Sequence, residues 1–333
     1  MKYTHLGRTG LKVSKLCLGT MNFGPRTEEK EAFKILDRAL DAGINYIDTA
    51  NIYGSLHGQH ADNHTGWTEE ILGRWFAQGE QRRDRVILAT KVYCNMHDET
   101  EGPNGDGNSA FKIRRHVEGS LRRLQTDHID IYQMHHIERH APWEEIWGAF
   151  ERVINQGKAT YIGSCNFAAR HLVAAQANAE KRNFLGLVSE QDKYNLANRL
   201  PELEVLPATE ELGIAFLPWS PLHGGYLSGS VLKNAANSRG AEEFGRNLSP
   251  EKHKQLEEYS ALCRELGESE ANVALAWLLA NPRVTAPIIG PRTMKQLEDA
   301  LHALEIELSD EVLQRLDEIF PGPGGAAPEA YAW

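Results

Sequence analysis

The sequence predicts an α/β protein of the (β/α)8 or TIM-barrel class, and three observations lead to this prediction. Eight short apolar runs alternate with segments of helical period along nearly the whole chain. Each run is apolar at consecutive positions, as is typical of parallel strands buried on both faces. No Gly-x-Gly-x-x-Gly motif follows the first run, which argues against an open, doubly wound sheet, the alternative that periodicity alone leaves open.

The predicted strands follow in chain order after an N-terminal β-hairpin in residues 1–14. They are Lys15–Gly19, Asn45–Thr49, Val86–Lys91, Ile129–His135, Thr160–Cys165, Leu187–Gln191, Ala215–Trp219 and Thr285–Ile289.

Helices are predicted between the strands, and several have readable ends. Thr27 is a candidate N-cap for the first helix, and Gly43 would end it. Ser249 is a candidate N-cap, and the proline that follows it, Pro250, would stand at the first helical position. The apolar helix around Ala276 should end before Pro282.

Four segments do not fit the alternation of strand and helix. Three of them follow strands, so in a barrel they would form long loops on the C-terminal face, where active sites are built. The segments are Gly54–Trp67, Tyr93–Ser109, Leu222–Pro250 and the tail Phe320–Trp333. Without them and the hairpin, the chain is close to the ~250 residues of one barrel, so we expect a single domain over residues 1–333.

Composition limits the classes of partner. The chain has 36 Lys and Arg against 46 Asp and Glu, a net charge of −10, which disfavours nucleic acid as a ligand. Its four cysteines lie far apart with no Cys-x-x-Cys pair, so neither a disulfide framework nor a zinc site is expected. The N-terminus lacks an apolar signal segment, and Val273–Ala280, the longest apolar stretch, is too short to span a bilayer. We expect a cytoplasmic protein that does not bind a membrane; its oligomeric state is left open.

Ionisable side chains stand at the ends of three successive strands. Asp48 ends the second strand, with Tyr53 just beyond it, and Lys91 and His135 end the third and fourth. A barrel would bring these side chains to one mouth, where a lysine could stabilise the phenolate of Tyr53 and a histidine could polarise a carbonyl oxygen. Taken singly, each residue is more readily explained by a salt bridge or hydrogen bond at the barrel rim, but the four together at successive strand ends favour a site.

Several spaced motifs together resemble those of the aldo-keto reductases, over almost the full chain. The motifs are Leu18-Gly19-Thr20-Met21, Ile47-Asp48-Thr49-Ala50 with Tyr53-Gly54, Thr90-Lys91, Ser120-Leu121-Arg122-Arg123-Leu124, Asp130-Ile131-Tyr132-Gln133-Met134-His135, Gly163-Ser164-Cys165-Asn166-Phe167, Trp219-Ser220-Pro221-Leu222 and Gly290-Pro291-Arg292-Thr293.

The resemblance implies NADPH-dependent reduction of an aldehyde or ketone. It implies that Tyr53 is the general acid, that Lys91 lowers its pKa, that Asp48 supports Lys91 and that His135 orients the carbonyl. Tyr53, His135 and Trp67 would contact the substrate. The chain is also similar to a bacterial branch that includes nucleotide-sugar ketoreductases, so a keto-sugar is one candidate substrate.

The resemblance also implies a cofactor site without a Rossmann fingerprint. Asn166 and Gln191 would hold the carboxamide, Trp219 would stack on the nicotinamide, Arg292 would meet the 2′-phosphate and Gln296 the adenine side. The complete set of implied cofactor-binding residues is Gly19, Thr20, Met21, Asp48, Cys165, Asn166, Gln191, Trp219, Ser220, Pro221, Leu222, Gly224, Gly225, Arg239, Gly290, Arg292 and Gln296.

Three positions depart from the family pattern. Cys165 stands where a serine usually bonds the carboxamide, and a thiol is a weaker donor. Ala300 replaces a common asparagine in the adenine pocket, and Ser230 stands where some relatives carry a phosphate-binding lysine. We therefore expect NADPH to be preferred over NADH, with a contact set that differs in detail.

Other chemistry is left open by the residues. His57, His60 and His64 share one loop with Asp62, but they follow no helical period and have no cysteine beside them, so no metal site is expected. Lys91 could instead form a Schiff base in a lyase. A third alternative is a catalytically weak, NADPH-binding regulatory module, since the family is related to potassium-channel β-subunits.

Overall fold

A computed structural model describes residues 1–54, 64–96, 99–233, 244 and 248–332 of the chain. Over these residues the strands form two sheets. The first is an antiparallel hairpin of β1 (Tyr3–His5) and β2 (Lys12–Ser14), in which Thr4 lies opposite Val13. The N-terminal hairpin is therefore confirmed.

The second sheet has eight parallel strands. They are β3 (Cys17–Gly19), β4 (Tyr46–Asp48), β5 (Ile87–Val92), β6 (Ile129–Met134), β7 (Ala159–Cys165), β8 (Leu187–Lys193), β9 (Ala215–Trp219) and β10 (Ile288–Ile289). Their order in the sheet is β10-β3-β4-β5-β6-β7-β8-β9. The sheet nearly closes, because the Thr285 amide donates to the Phe216 carbonyl at 2.9 Å, beside a parallel bridge between Phe216 and Val284. This confirms the predicted barrel over the open sheet.

Helices lie between the strands and cover the outside of the barrel. The described α-helices are α1 (Glu29–Asp41), α2 (Trp67–Phe76), α3 (Ala110–Leu124), α4 (Trp143–Asn155), α5 (Ala169–Glu180), α6 (Val205–Leu212), α7 (Pro250–Leu266), α8 (Glu270–Ala280), α9 (Met294–His302), α10 (Asp310–Ile319) and α11 (Glu329–Ala332). Short 3-10 turns occupy Glu99–Asn104, Leu200–Glu202, His223–Ser228 and Ala303–Glu305.

The predicted helix ends are confirmed with one exception. Ser249 caps α7 by accepting from the Lys252 amide, and α8 ends two residues before Pro282. The Thr27 cap is wrong, because its hydroxyl donates to the Arg292 carbonyl at 3.1 Å. The N-cap position of α1 is Glu28, which makes no capping hydrogen bond through its side chain.

Apolar side chains fill the barrel interior at the end where the strands begin. Cys17 and Tyr46 lie there at the first positions of β3 and β4, in one cluster with Leu6 and Val13 of the hairpin, and all four are fully buried. The Arg8 amide donates to the Gly213 carbonyl at 2.8 Å, which fixes the hairpin against the barrel. The hairpin thus closes the N-terminal end, and the polar interior side chains stand at the other end. No described helix is long and apolar enough to cross a membrane.

The packing of α2 against α3 depends on a glycine. A Cβ on Gly73 would overlap the carbonyl oxygen of Arg123 and lie 2.9 Å from the carbonyl carbon of Leu124. We expect Gly73→Ala to lower the free energy of unfolding by about 1–3 kcal/mol, because both obstructing groups are backbone. Urea unfolding followed by tryptophan fluorescence measures the change.

Gly148 in α4 is the matched control. Its added Cβ would have the Arg182 guanidinium nitrogen at 3.7 Å as its nearest neighbour. Gly148→Ala should leave stability unchanged or raise it by about 0.4–1 kcal/mol, since alanine restricts the unfolded chain. Equal losses in both variants would contradict a specific helix–helix contact at Gly73.

Candidate active site

The C-terminal ends of β4, β5 and β6 bring four of the predicted residues together. Asp48 is the last residue of β4, Lys91 lies in β5, and His135 directly follows β6. Tyr53 lies in the loop after β4, where its amide bonds to the Ala50 carbonyl at 3.1 Å. Because parallel strands end on one side, the fold places these side chains at the same end of the barrel.

The Lys91 ammonium is buried and fully hydrogen-bonded. Its Nζ donates to Asp48 Oδ2 at 2.5 Å, to the Thr49 carbonyl at 2.8 Å and to the Tyr53 hydroxyl at 3.2 Å. Lys91 is 1% exposed and Asp48 2%. Burial alone would lower the pKa of Lys91, but attraction to Asp48 and to Tyr53 outweighs burial and raises it. The lysine is therefore a fixed positive charge beside the phenol.

The Tyr53 phenol experiences opposing effects. Burial raises its pKa to about 12, while the nearby Lys91 ammonium acts in the lowering direction. The sequence predicts the direction of the lysine's effect, and the structure adds that burial is the larger cause. At neutral pH the hydroxyl therefore carries its proton.

His135 lies edge-on to the same phenol. The two ring centroids are 5.9 Å apart with an interplanar angle of 79°. The backbone of His135 is fixed on both sides, because its amide donates to the Val92 carbonyl at 2.9 Å and its carbonyl accepts from Asn166 Nδ2 at 3.0 Å. The imidazole and the phenol thus stand at one place on the barrel rim.

Two amide side chains bond the second oxygen of Asp48. Oδ1 accepts from Gln191 Nε2 at 2.7 Å and from Gln133 Nε2 at 3.0 Å, and Gln191 Nε2 also donates to Gln133 Oε1 at 3.0 Å. Sequence reasoning assigned no role to Gln133. The available signal was an amide two residues before His135, hence on the same face of the strand.

Asn166 connects the rim to the predicted nicotinamide wall. It adopts a left-handed backbone conformation with φ 61°, which asparagine tolerates better than most residues. Its backbone N–H donates to the backbone carbonyl of Gln191 at 2.8 Å, and its side-chain Oδ1 accepts from the Trp219 indole N–H at 3.1 Å. The indole ring is therefore held in one orientation.

Glu190 fixes the turn that contains Asn166 and was not predicted from sequence. Its carboxyl group is fully buried, accepts from the Phe167 amide at 2.8 Å and accepts the Ser164 hydroxyl. Burial raises its pKa well above the ordinary value. A charged residue inside an apolar strand was the signal in the sequence.

The residues predicted to hold the carboxamide are hydrogen-bonded to one another. The Cys165 thiol lies 3.6 Å from Gln191 Oε1 and donates to it, so this oxygen faces away from Asp48. Gln191 is thus bonded to both Cys165 and Asn166, and Asn166 is bonded to the Trp219 indole, a set that fits a flat amide-bearing heterocycle.

The loop after β9 contains several residues with a left-handed backbone conformation. Ser220 has φ 54°, Gly224 φ 66° and Gly225 φ 99°, and the Ser220 hydroxyl accepts from the Gly224 amide at 3.1 Å. Such turns can aim backbone N–H groups at an anion. In the same segment Pro221 is buried, Leu222 is half-buried and the Ser228 hydroxyl donates to Ser230 at 2.9 Å. Arg239 lies outside the described residues.

The turn before α9 contains the residues predicted to contact the 2′-phosphate and the adenine side of the cofactor, Arg292 and Gln296. Thr293 caps the helix by accepting from the Gln296 amide at 3.3 Å, and the Arg292 amide donates to Gln296 Oε1 at 2.8 Å. Asn22 Nδ2 donates to the Gly290 carbonyl at 2.8 Å, which joins this turn to the loop after β3. Arg292 is half-buried, at a helix N-terminus that favours an anion.

The remaining predicted cofactor residues follow β3. A Cβ on Gly19 would lie 2.7 Å from Ile288 Cγ2, so this strand end approaches β10 too closely for a side chain. The Thr20 hydroxyl is buried and donates to the Asp48 carbonyl at 2.9 Å, whereas Met21 is 47% exposed. Ala300 lies buried in α9.

Trp67 begins α2 and is held by its neighbours. It stacks on the His64 ring at 5.1 Å with an interplanar angle of 7°, and a Cβ on Gly24 would come within 2.8 Å of the indole. His64 also pairs with Glu70 at 3.1 Å. His57, His60 and Asp62 lie outside the described residues, and over the described ones no group of three metal-ligating side chains occurs.

Comparison with known proteins gives a consistent result. A model described as the aldo/keto reductase family matches residues 15–320. A Bacillus subtilis protein named "Uncharacterized oxidoreductase YrpG" is 62% identical over 335 residues and covers 100% of both chains. A versiconal hemiacetal acetate reductase of Aspergillus parasiticus is 32% identical over 344 residues, or 96% of each chain. A rice protein named "Probable voltage-gated potassium channel subunit beta" is 32% identical over 330 residues, again 96% of each.

Asp192, directly after Gln191, should make stability depend on pH. Burial raises its pKa to about 6, and its Oδ1 accepts from the Lys193 amide at 2.7 Å. A carboxyl whose folded pKa is raised contributes stability below its unfolded pKa of about 3.9, which is lost as pH rises through the folded value. Asp192→Asn keeps the acceptor without the charge. Its unfolding free energy relative to wild type should therefore rise between pH 4 and 6 and level off above.

Urea unfolding at five pH values from 4 to 8 measures this difference. Asp127→Asn is the control, because Asp127 is exposed and its pKa is lowered by hydrogen bonding to His128. The control should not gain stability over the same interval. A pH-independent difference for Asp192→Asn would refute the assignment.

Proposed function

The chain belongs to the aldo/keto reductase family, and on this basis we propose that it reduces an aldehyde or ketone to the alcohol with NADPH. One observation carries the proposal: the Tyr53 hydroxyl lies 3.2 Å from the buried ammonium of Lys91, which Asp48 holds at 2.5 Å. A phenol that keeps its proton but stands next to a fixed cation is suited to releasing that proton to a forming alkoxide.

The proton step follows from these positions. When bound, NADPH supplies the hydride that goes to the carbonyl carbon. Tyr53 donates its hydroxyl proton to the carbonyl oxygen, and the resulting phenolate stays beside Lys91. The Lys91 charge therefore stabilises the product state of the proton transfer, which is where burial of Tyr53 would otherwise cost most.

His135 orients the carbonyl in this proposal. Its ring stands at the edge of the Tyr53 phenol, so an oxygen that accepts from Tyr53 is also close to the imidazole. A second donor on the same oxygen narrows the possible orientations of the carbonyl and polarises it. Trp67 is the proposed wall of the substrate pocket.

The proposed cofactor seat is supported by the ordered groups after β7, β8 and β9. Asn166, Gln191 and Cys165 would hold the carboxamide, and Trp219 would lie against the ring. The positive-φ backbone at Ser220, with Pro221, Leu222, Gly224 and Gly225, would line the pyrophosphate. On the other side, the set would be completed by Gly19, Thr20, Met21 and Gly290, with Arg292 on the 2′-phosphate and Gln296 near the adenine.

A Schiff-base lyase is a weaker candidate. That chemistry needs a neutral, mobile amine. The raised pKa of Lys91 and its three hydrogen bonds keep the amine charged and fixed. A regulatory cofactor-binding module is distinguished by turnover, which it would lack.

The substrate class is a small carbonyl compound. A keto-sugar is the finer proposal, supported by the polar composition of the Gly54–Trp67 segment, whose histidine, asparagine and glutamine residues can hydrogen-bond hydroxyl groups. Oxidation of NADPH in the presence of aldehydes, ketones and keto-sugars compares these classes directly. No turnover with any class, while NADPH still binds, would favour the regulatory module.

Tyr53→Phe tests the general acid. We expect this variant to bind NADPH like the wild type but to reduce carbonyl substrates about 100-fold or more slowly, because the proton donor is gone and the ring is kept. Stopped-flow absorbance at 340 nm measures the reduction, and calorimetry measures the binding. Tyr3→Phe, at an exposed hairpin position, is the control and should react like wild type. Full turnover in Tyr53→Phe would overturn the assignment.

Arg292→Ala tests the preference for NADPH. Loss of a guanidinium paired with a phosphate should raise the Kd for NADPH about tenfold or more and leave the Kd for NADH nearly unchanged. Arg315→Ala is the control, since Arg315 pairs with Glu265 at 2.7 Å and should affect neither constant. Equal weakening of both cofactors by Arg292→Ala would remove the proposed 2′-phosphate contact.

A further inference from the structure

Four hydrogen-bonded side chains, Asp48, Lys91, Gln133 and Gln191, form a polar layer inside the barrel, and Gln133 is one of its two amides. It is fully buried in β6, paired in register with Lys91 of β5 and Gly163 of β7. Its Nε2 donates to Asp48 Oδ1 at 3.0 Å, and its Oε1 accepts from Gln191 Nε2 at 3.0 Å. One side chain thus touches both the support of Lys91 and a residue of the proposed cofactor seat.

The orientation of both amides follows from chemistry. An ionised carboxylate only accepts hydrogen bonds, so each amide presents its nitrogen to Asp48. Gln191 Nε2 then has one hydrogen on Asp48 Oδ1 and the other on Gln133 Oε1. Both hydrogens are used, so Gln191 has only its oxygen to offer a ligand, and one position on that oxygen already accepts from the Cys165 thiol.

We propose that Gln133 is a positioning residue for the reduction, which holds Asp48 with one oxygen on Lys91 and fixes the amide of Gln191 with its oxygen toward the nicotinamide carboxamide. This inference rests on the proposed function. Gln133 itself contacts neither Tyr53 nor the proposed nicotinamide wall in any hydrogen bond of the described residues. It acts through Asp48 and Gln191.

The case for Asp48 depends on how its two oxygens are divided. Oδ2 faces Lys91 at 2.5 Å, and Oδ1 takes both amides. If Gln133 loses its donor, Oδ1 keeps one amide partner, Gln191, and the carboxylate is held less firmly. Lys91 Nζ is held by Asp48 and by the Thr49 carbonyl, so a shift of the carboxylate would change the distance from Lys91 Nζ to the Tyr53 hydroxyl.

The case for Gln191 depends on its second hydrogen. Without Gln133 Oε1, that hydrogen has no acceptor, and the amide is held only by Asp48 Oδ1 and by the weakly donating Cys165 thiol. The cost of the reversed orientation, with the oxygen away from the ligand, therefore falls. In wild type the fixed Gln191 Oε1 should favour a carboxamide, which can donate an N–H to it, over a methyl ketone, which cannot. Loss of Gln133 should reduce this discrimination.

Other titratable groups around this layer do not replace Gln133. Asp48, Lys91 and Tyr53 face it from β4, β5 and the loop after β4. Burial raises the pKa of Cys165 in β7 and of Tyr46 in β4 well above their ordinary values, so both remain neutral. From β8, burial likewise raises the pKa values of Glu190 and Asp192, the residues on either side of Gln191. Among the described residues that hydrogen-bond in this layer, Asp48 and Lys91 carry the charges.

The first experiment measures binding by calorimetry. NADP+ and its 3-acetylpyridine analogue, which has a methyl ketone in place of the carboxamide, are titrated into wild type and Gln133→Met. Wild type should prefer NADP+ by up to about tenfold, the usual effect of losing one hydrogen bond at an acceptor that keeps a weaker second donor. The preference should fall several-fold in Gln133→Met, which keeps side-chain volume.

The second experiment measures kcat against pH for Gln133→Glu. As a carboxylic acid, the introduced group can donate to Asp48 Oδ1 and accept from Gln191 Nε2, as the native amide does. Burial and the adjacent Asp48 should raise its pKa, while Lys91, whose charge is already paired with Asp48, should lower it by less. The variant should therefore be near wild type at pH 6 and lose about tenfold or more as this group ionises at higher pH, whereas Gln133→Met is slow throughout.

Gln176→Met is the matched control for loss of a buried amide. Gln176 is 1% exposed in α5, and its Oε1 accepts from the Leu187 amide at 2.6 Å, at the opposite end of β8 from Gln191. It should lower the melting temperature without changing the binding ratio or the pH profile. Wild-type ratio and kcat in Gln133→Met, a pH-independent Gln133→Glu, or equal effects in Gln176→Met would each overturn the proposal.

These outcomes are separable from failure of the proposed function. If wild type neither binds NADP+ nor oxidises NADPH with any carbonyl compound, the function itself is wrong. If wild type does both and the Gln133 variants behave like it, only the role of Gln133 is wrong.

Discussion

The buried ion pair of Lys91 and Asp48 is the constraint on which the site depends. Removing two such charges from water costs several kcal/mol for each ion, and only close contact with further hydrogen bonds offsets that cost. The pair meets this condition through the Thr49 carbonyl on one side and two amides on the other. Residues from β4, β5, β6 and β8 must therefore converge on one point, which ties the barrel's closure to the chemistry at its rim.

Burial and charge act against each other on Tyr53. The dry surroundings favour the neutral phenol, and Lys91 favours the phenolate. A hydroxyl in this balance keeps its proton in the resting protein and is helped to release it when a more basic oxygen forms nearby. The tyrosine is thereby both a stable acid and a usable one, which neither burial nor the cation would achieve alone.

Much of the fold could be predicted because local pattern and architecture agree. Consecutive apolar residues marked each strand to within about three residues, and Ser249 marked the start of α7. The Thr27 cap failed because its competing partner, the Arg292 carbonyl, is 265 positions away in sequence. Pattern reasoning does not detect such tertiary competition.

The candidate site likewise has residues that the sequence predicts and residues that it does not. Asp48, Tyr53, Lys91 and His135 could be found because their side chains are chemically conspicuous at strand ends. Gln133 and Glu190 were passed over, since a buried amide or carboxyl group has meaning only through its partners on other strands. The net pKa shift of Tyr53 was likewise beyond reach, because it depends on how completely the surrounding chain excludes water.

The closed base of the barrel has a kinetic consequence. Leu6 and Val13 of the hairpin fill the end where the strands begin, and Tyr46 packs in the same apolar cluster above them. A ligand that reaches Lys91 must therefore arrive and depart through the end where the strands finish. Two ligands that share this passage leave in the reverse order of their arrival, so the one that lies deeper binds first and departs last.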